Sequence, residues 1–242
     1  MKALILAAGI GKRLNSKEPK ILLKIGQKTL LERYYQNLVN IDVNKIGLVV
    51  GFQKEKIEDL IKEIDKENRI TIFRNTEFKK GSVISLVKAS NFFEHQEEMI
   101  LMDGDVLYHH DIFKRLVNSK KKNCFLLDRN IEEGEEPVKI CIKKNHICDF
   151  GKEIKKDFDF CGESVGFFKF SYEVSRKLLV QAKEIMRSNP NEMYEEAIRL
   201  IVKDSVLNNF GYEDITNLPW IEIDFPEDLD KAKKKLLPKI DE

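Results

Sequence analysis

Residues 3–20 read Ala-Leu-Ile-Leu-Ala-Ala-Gly-Ile-Gly-Lys-Arg-Leu-Asn-Ser-Lys-Glu-Pro-Lys. An apolar run enters a glycine turn, and a basic residue and a Pro-Lys pair follow. Glycines let backbone approach a ligand closely, and successive N–H groups in such a turn make a concavity for anions. Arg13 and Lys20 add cationic groups able to reach phosphate oxygens. The chemistry implied is the holding of a triphosphate, although the same residues also suit a plain tight turn. The spacing excludes a P-loop. It also disfavours the dinucleotide signature G-x-G-x-x-G, because Leu14 stands where the third glycine would be.

Two acidic pairs stand at the ends of other strand-like runs, Asp103-Gly-Asp105 and Glu222-Ile-Asp224. In open α/β sheets ligands bind beyond the carboxyl ends of the strands, so Asp105 and Asp224 are expected at the edge that carries the glycine turn. Carboxylates beside a phosphate cradle suit Mg²⁺. Taken singly, Asp103–Asp105 also suits an Asx turn, and Glu222 with Asp224 suits the cap of the last helix.

The elements that must position these groups follow from periodicity. Continuous apolar runs predict strands at 3–8, 45–51, 70–74 and 98–102. Helical spacing predicts helices at 29–39, 54–64 and 81–93, the last with Ser82 at its N-cap. This β-α-β-α order predicts an α/β fold with a doubly wound, mostly parallel sheet. After residue 120 short strands are expected at 123–128, 138–143, 146–150 and 162–170, an antiparallel elaboration. Helices at 172–186 and 192–203, a strand at 220–224 and a helix at 226–237 complete the pattern. One domain over 1–242 is expected, with a nucleotide half at 1–119 and an acceptor half at 120–242.

Composition excludes several classes. Lys and Arg total 42 against 41 Asp and Glu, a net charge of +1, which leaves no electrostatic footprint for nucleic acid. No apolar run reaches membrane-spanning length. The four cysteines (124, 141, 148, 161) form no C-x-x-C pair; Cys124 and Cys141 lie in apolar runs and read as small buried hydrophobes. A reducing cytoplasm is the expected location, and a monomer or homodimer the expected state.

The stretch Ala7-Ala-Gly-Ile-Gly-Lys-Arg-Leu14 with Pro19-Lys20, Asp103-Gly-Asp105, and Trp220-Ile-Glu-Ile-Asp224 with Pro226-Glu-Asp-Leu resembles, in order and over nearly the whole chain, the sugar-phosphate and alcohol-phosphate nucleotidyltransferases. Within them Asn75–Ala89 is similar to the cytidylyltransferase branch that activates phosphocholine, aminoethylphosphonate or inositol phosphate. The resemblance implies a Rossmann-like sheet of the nucleotide-diphospho-sugar transferase type. It implies that Arg13, Lys20 and Lys152 are catalytic, and that Asp105, Glu222 and Asp224 bind Mg²⁺. Nucleotide contacts are implied for Leu6, Ala7, Ala8, Gly9, Gly11, Lys12, Gly81, Ser82, Ser85 and Asp103. The partners implied are CTP and a small phosphorylated or phosphonate acceptor. If the acceptor carries an ammonium, Asp128 or Glu163 with Tyr194 or Trp220 is expected to surround it. A sugar-1-phosphate nucleotidyltransferase and a catalytically silent nucleotide-binding homologue are the alternatives.

Overall fold

The computed structural model describes residues 1–14, 16–131, 137–154, 157–204 and 210–240. In chain order the first half contains β1 (Lys2–Ala7), the short hairpin β2 (Lys24–Ile25) and β3 (Lys28–Thr29), α1 (Leu30–Val39), β4 (Ile46–Val50) and α2 (Lys54–Ile64). It continues with β5 (Ile70–Arg74), α3 (Val83–Lys88), β6 (Met99–Asp103), β7 (Val106–Tyr108) and α4 (His110–Asn118). The second half contains β8 (Asn123–Asp128), β9 (Lys139–Lys143), β10 (His146–Gly151), β11 (Phe160–Phe170), α5 (Tyr172–Ser188) and α6 (Tyr194–Lys203). β12 (Phe210–Asp214), β13 (Trp220–Glu222) and α7 (Pro226–Lys231) close it.

Among the described residues the main sheet has nine strands, with the path β10-β9-β11-β6-β1-β4-β5; β8 pairs with β11 and β12. β1, β4, β5 and β6 are parallel, as their unbroken apolar runs require when both faces are covered. Successive residues of β1 enter different cores. Ala3 and Ile5 pack with Leu31 and Tyr34 of α1, Ile57 of α2 and Phe113 of α4. Leu4 packs with Leu86 of α3, Leu178 of α5 and Ile198 of α6. Helices therefore cover both faces, and the doubly wound expectation holds.

β11 is the hinge of the architecture. Its last residues, Phe167–Phe170, pair antiparallel with β6. Its first, Phe160–Glu163, pair with β9. The register along β8 shifts between Ser164 and Phe168. The parallel sheet thus passes into the expected antiparallel elaboration within one strand.

Several sequence expectations are corrected. The helix expected at 81–93 is α3 followed by a 3-10 turn over Ser90–Glu94. Ser82 does not cap α3 with its side chain; its Oγ accepts the backbone N–H of Tyr194 (2.8 Å). The strand at 220–224 is shorter and pairs with β7 outside the main sheet. β7, α4 and β12 were not expected at all. Their runs are short, and β7 begins directly after a turn, so periodicity over so few residues carries little signal.

Cys141 is not a lone apolar filler. It is bonded to Cys161, because the β9–β11 register sets these residues directly opposite. Register between strands is invisible to a reading of spacing alone. Cys124 and Cys148 are free thiols. No helix among the described residues is long and apolar enough to cross a membrane. Titration of the denatured, unreduced chain with a thiol reagent is expected to find only these two thiols, Cys124 and Cys148. Reaction of all the cysteines before reduction would contradict the Cys141–Cys161 bridge.

Candidate active site

The turn after β1 brings its backbone to the carboxyl edge of the sheet. Gly9 faces open space, whereas Gly11 has φ +64°, and a Cβ there would stand 3.1 Å from the Lys20 side chain. Glycine at this position permits the left-handed turn and lets Lys20 lie across it. Lys20 starts a short 3-10 turn behind Pro19, which points its ammonium back towards the edge.

Asp105 sits in the turn between β6 and β7. Tyr34 of α1 holds that turn from behind. Its hydroxyl accepts the Val106 N–H (3.0 Å) and lies 2.9 and 2.8 Å from the carbonyl oxygens of Asp103 and Val106. β7 then pairs with β13, placing Glu222 opposite Val106, and the Ile223 N–H donates to the Asp105 carbonyl (3.0 Å). This small ladder brings residues 105, 222 and 224 together. Their carboxylate oxygens all lie within 4.8 Å of one another.

Two cations face these carboxylates. The Lys20 ammonium donates to Asp105 Oδ2 at 2.9 Å and to Asp224 Oδ1. Arg13 lies 3.0 Å from Asp224 Oδ2, its guanidinium over the Phe225 ring. Burial alone would push the Lys20 ammonium down, but Asp105 and Asp224 outweigh it and hold the group well above its ordinary range. Burial, followed by Asp105 and Asp224, pushes Glu222 up to about 8. The set offers hard oxygen donors to a divalent cation.

A cavity of about 760 Å³ joins these groups to the second half of the chain. Of the expected nucleotide residues, Leu6, Ala8, Gly9, Gly81, Ser82, Ser85 and Asp103 line it; Ala7 at the end of β1, and Gly11 and Lys12 after it, do not belong to the cavity wall. All of Arg13, Lys20, Lys152, Asp105, Glu222 and Asp224 line it, as do Asp128, Glu163, Tyr194 and Trp220.

The acceptor-side residues are engaged in specific ways. Asp128 accepts the Trp220 indole N–H (2.8 Å) with one oxygen and the Asn130 N–H (2.9 Å) with the other. Tyr194 is 3% exposed and donates to Asp103 Oδ2 (2.7 Å). Burial and the Asp105 charge hold Asp103 well above the usual carboxylate range. Gly166, with φ +76°, sits where a Cβ would strike Asp103 Oδ2 at 2.2 Å. No side chain fits there, and the β11 bulge exists to admit Asp103. Sequence reading missed Asn75, whose amide donates to Ser85 Oγ (3.1 Å), and Glu195, on the acceptor-side wall of the cavity. Asn75 follows a strand end directly, which was the available signal; Glu195 had none.

A divalent cation held by these carboxylates would bind in a pH-dependent way, because the Glu222 carboxyl is raised. A proton must leave before Glu222 can act as a ligand, so Mn²⁺ affinity is expected to climb as pH rises through about 8. With a chelator present the stability slope has the opposite sign. The folded state then keeps a proton that the unfolded chain has already lost, so stability falls as pH rises from 4.5 to about 8. Glu222→Gln is expected to flatten both profiles; unchanged slopes in that variant would contradict the assignment.

Comparison with known proteins places the chain in a family. A model of the MobA-like NTP transferase domain matches residues 3–152. The chain is 24% identical over 97% of its length to all of a CTP:phosphoglutamine cytidylyltransferase of Campylobacter jejuni. It is 29% identical over 99% of its length to the bifunctional protein GlmU of Methanococcus vannielii, of which it spans 57%. Among solved structures it resembles the inositol-1-phosphate CTP transferase from T. maritima (TM-score 0.73, 20% identity, 97% of each chain). It also resembles a CTP:phosphocholine cytidylyltransferase from Streptococcus pneumoniae (TM-score 0.72, 19% identity, 96% of this chain and 97% of that one). The glycine turn, the clustered carboxylates and their two cations thus stand in a chain that belongs to the MobA-like NTP transferase family, a family of nucleotidyltransferases.

Proposed function

We propose that the protein is a Mg²⁺-dependent cytidylyltransferase. It transfers CMP from CTP to a small phosphorylated alcohol or amine, or a phosphonate, and releases pyrophosphate. The observation that carries this reading is the Lys20–Asp105–Asp224 ion-pair cluster beside the Gly9–Gly11 turn, in one cavity with the acceptor-side residues. The CTP-using relatives named above support the choice of nucleotide.

Asp105, Glu222 and Asp224 are the residues that would hold the metal, which when bound supplies charge neutralisation between the two reacting phosphates. The remaining work belongs to the chain. An acceptor oxygen attacks the α-phosphorus in line, a new P–O bond forms, and the bond to pyrophosphate breaks. Little covalent chemistry is needed, so catalysis rests on positioning and charge. Arg13 neutralises the β- and γ-phosphates as they leave. Lys20 moves from its carboxylates to the charge that builds on the α-phosphate, and Lys152 steadies the acceptor phosphate. The cavity wall at Leu6, Ala8, Gly81 and the Asn75–Ser85 pair leaves room for a pyrimidine.

The test is pyrophosphate release with each of the four NTPs against phosphocholine, 2-aminoethylphosphonate, inositol phosphate and glucose 1-phosphate. Turnover with CTP and a non-sugar acceptor is expected. Activity confined to UTP or dTTP with the sugar would overturn the reading, and nucleotide binding without turnover would make the chain a silent binder. Removing a positioned charge at an anionic transition state costs about 10²–10³ in kcat. Lys20→Ala and Arg13→Ala are expected to show losses of that order with unchanged circular dichroism. Wild-type kcat in either variant would remove that residue from the site.

A further inference from the structure

Lys152 lines the cavity from the turn that follows β10, and Arg199 of α6 holds that turn at both ends. Ahead of Lys152, the Arg199 guanidinium forks onto Asp149: Nε donates to Oδ1 (2.9 Å) and Nη2 to Oδ2 (3.0 Å). Beyond Lys152, the same Nη2 donates to the Glu153 carbonyl (3.0 Å). Between these anchors the backbone passes through Gly151 at φ +139°, a conformation that residues with side chains rarely adopt. The Arg199 side chain lies alongside, 3.7 Å from where a Cβ would stand.

Charge pairing alone does not account for this arginine. Asp149 is fully buried and needs a counter-charge, but Lys203 already stands 3.2 Å from its Oδ1. What an ammonium does not supply is a planar fork that bonds both carboxylate oxygens and a third acceptor together. That third bond is the one that closes the turn around Lys152. The other end of α6 is fixed to the nucleotide side of the cavity. Ser82 Oγ accepts the Tyr194 N–H (2.8 Å), and the Tyr194 hydroxyl donates to Asp103 (2.7 Å). Arg199 follows about 7.5 Å further along the helix axis. One helix therefore ties the turn that carries Lys152 to the turn that carries Asp105.

We propose that Arg199 is a positioning residue for Lys152, holding its turn at the cavity so that the ammonium meets the acceptor phosphate. This deepens the transfer reading above and rests on it for the role of Lys152. Arg199 touches neither substrate; it acts through the backbone on either side of the lysine.

The experiment uses Arg199→Lys, which keeps a cation for Asp149 and gives up the fork, together with Lys152→Ala and the double variant. CTP, Mg²⁺ and the acceptor that turns over fastest in the panel above are the substrates. Arg199→Lys is expected to raise KM for the acceptor about tenfold, with KM for CTP unchanged. The double variant is expected to lose no more than Lys152→Ala alone, because both changes remove one interaction. A wild-type acceptor KM in Arg199→Lys overturns the proposal, as does a loss that multiplies in the double variant. If no acceptor turns over, the transfer reading fails by itself. Amide hydrogen exchange of the wild type and Arg199→Lys, without substrates, then decides whether Arg199 holds the turn. Exchange about tenfold faster over residues 151–153, with β9 and α6 unchanged, sustains it; equal exchange, or loosening spread over all these elements, overturns it.

Discussion

The Lys20 ammonium lies between Asp105 and Asp224, residues 85 and 204 positions away along the chain. Each of the three arrives by a different route. Lys20 comes from the turn that Gly11 permits, and Asp105 from the β6–β7 turn that the Tyr34 hydroxyl clasps. Asp224 comes two residues after the strand that β7 holds in register. Carboxylates gathered this closely repel one another, and burial together with the charges of Asp105 and Asp224 holds the Glu222 carboxyl up at about 8. A half-buried cation balances them, and removing one partner of such a cluster leaves the others uncompensated.

The two halves of the cavity are mechanically joined. Ser82, at the nucleotide side, caps the helix that carries Tyr194 and Glu195. The Gly81 N–H donates to the Pro190 carbonyl (3.0 Å), and the Val83 N–H to that of Glu192 (3.3 Å). Tyr194 reaches back to Asp103, two residues from Asp105. The two sides of the cavity thus rest on the same elements.

The parallel half of the fold was legible because its strands are continuous apolar runs that end in glycine or aspartate. Arg13, Lys20, Asp105 and Asp224 were legible as candidates because they follow a glycine turn or a short strand. What escaped depended on tertiary register. The Cys141–Cys161 pair exists only once β9 lies against β11. The role of Ser82 as a cap for α6, 112 residues away, cannot be distinguished from a cap for the following helix by local spacing. Gly166 looks like any strand glycine until Asp103 is seen against it. Glu195 is one acidic residue among several at a helix start, and only its burial sets it apart.

The central claim is that the Lys20 ammonium leaves Asp105 and Asp224 when nucleotide arrives, and that these two carboxylates with Glu222 then hold a metal. A crystal structure with Mn²⁺ and CTP, phased on the manganese anomalous signal, tests it most directly. The account predicts an anomalous peak between Asp105 and Asp224, with the Lys20 ammonium moved onto a phosphate oxygen and the triphosphate against the Gly9–Gly11 turn. A peak elsewhere, or Lys20 still paired to both aspartates with nucleotide bound, would contradict it.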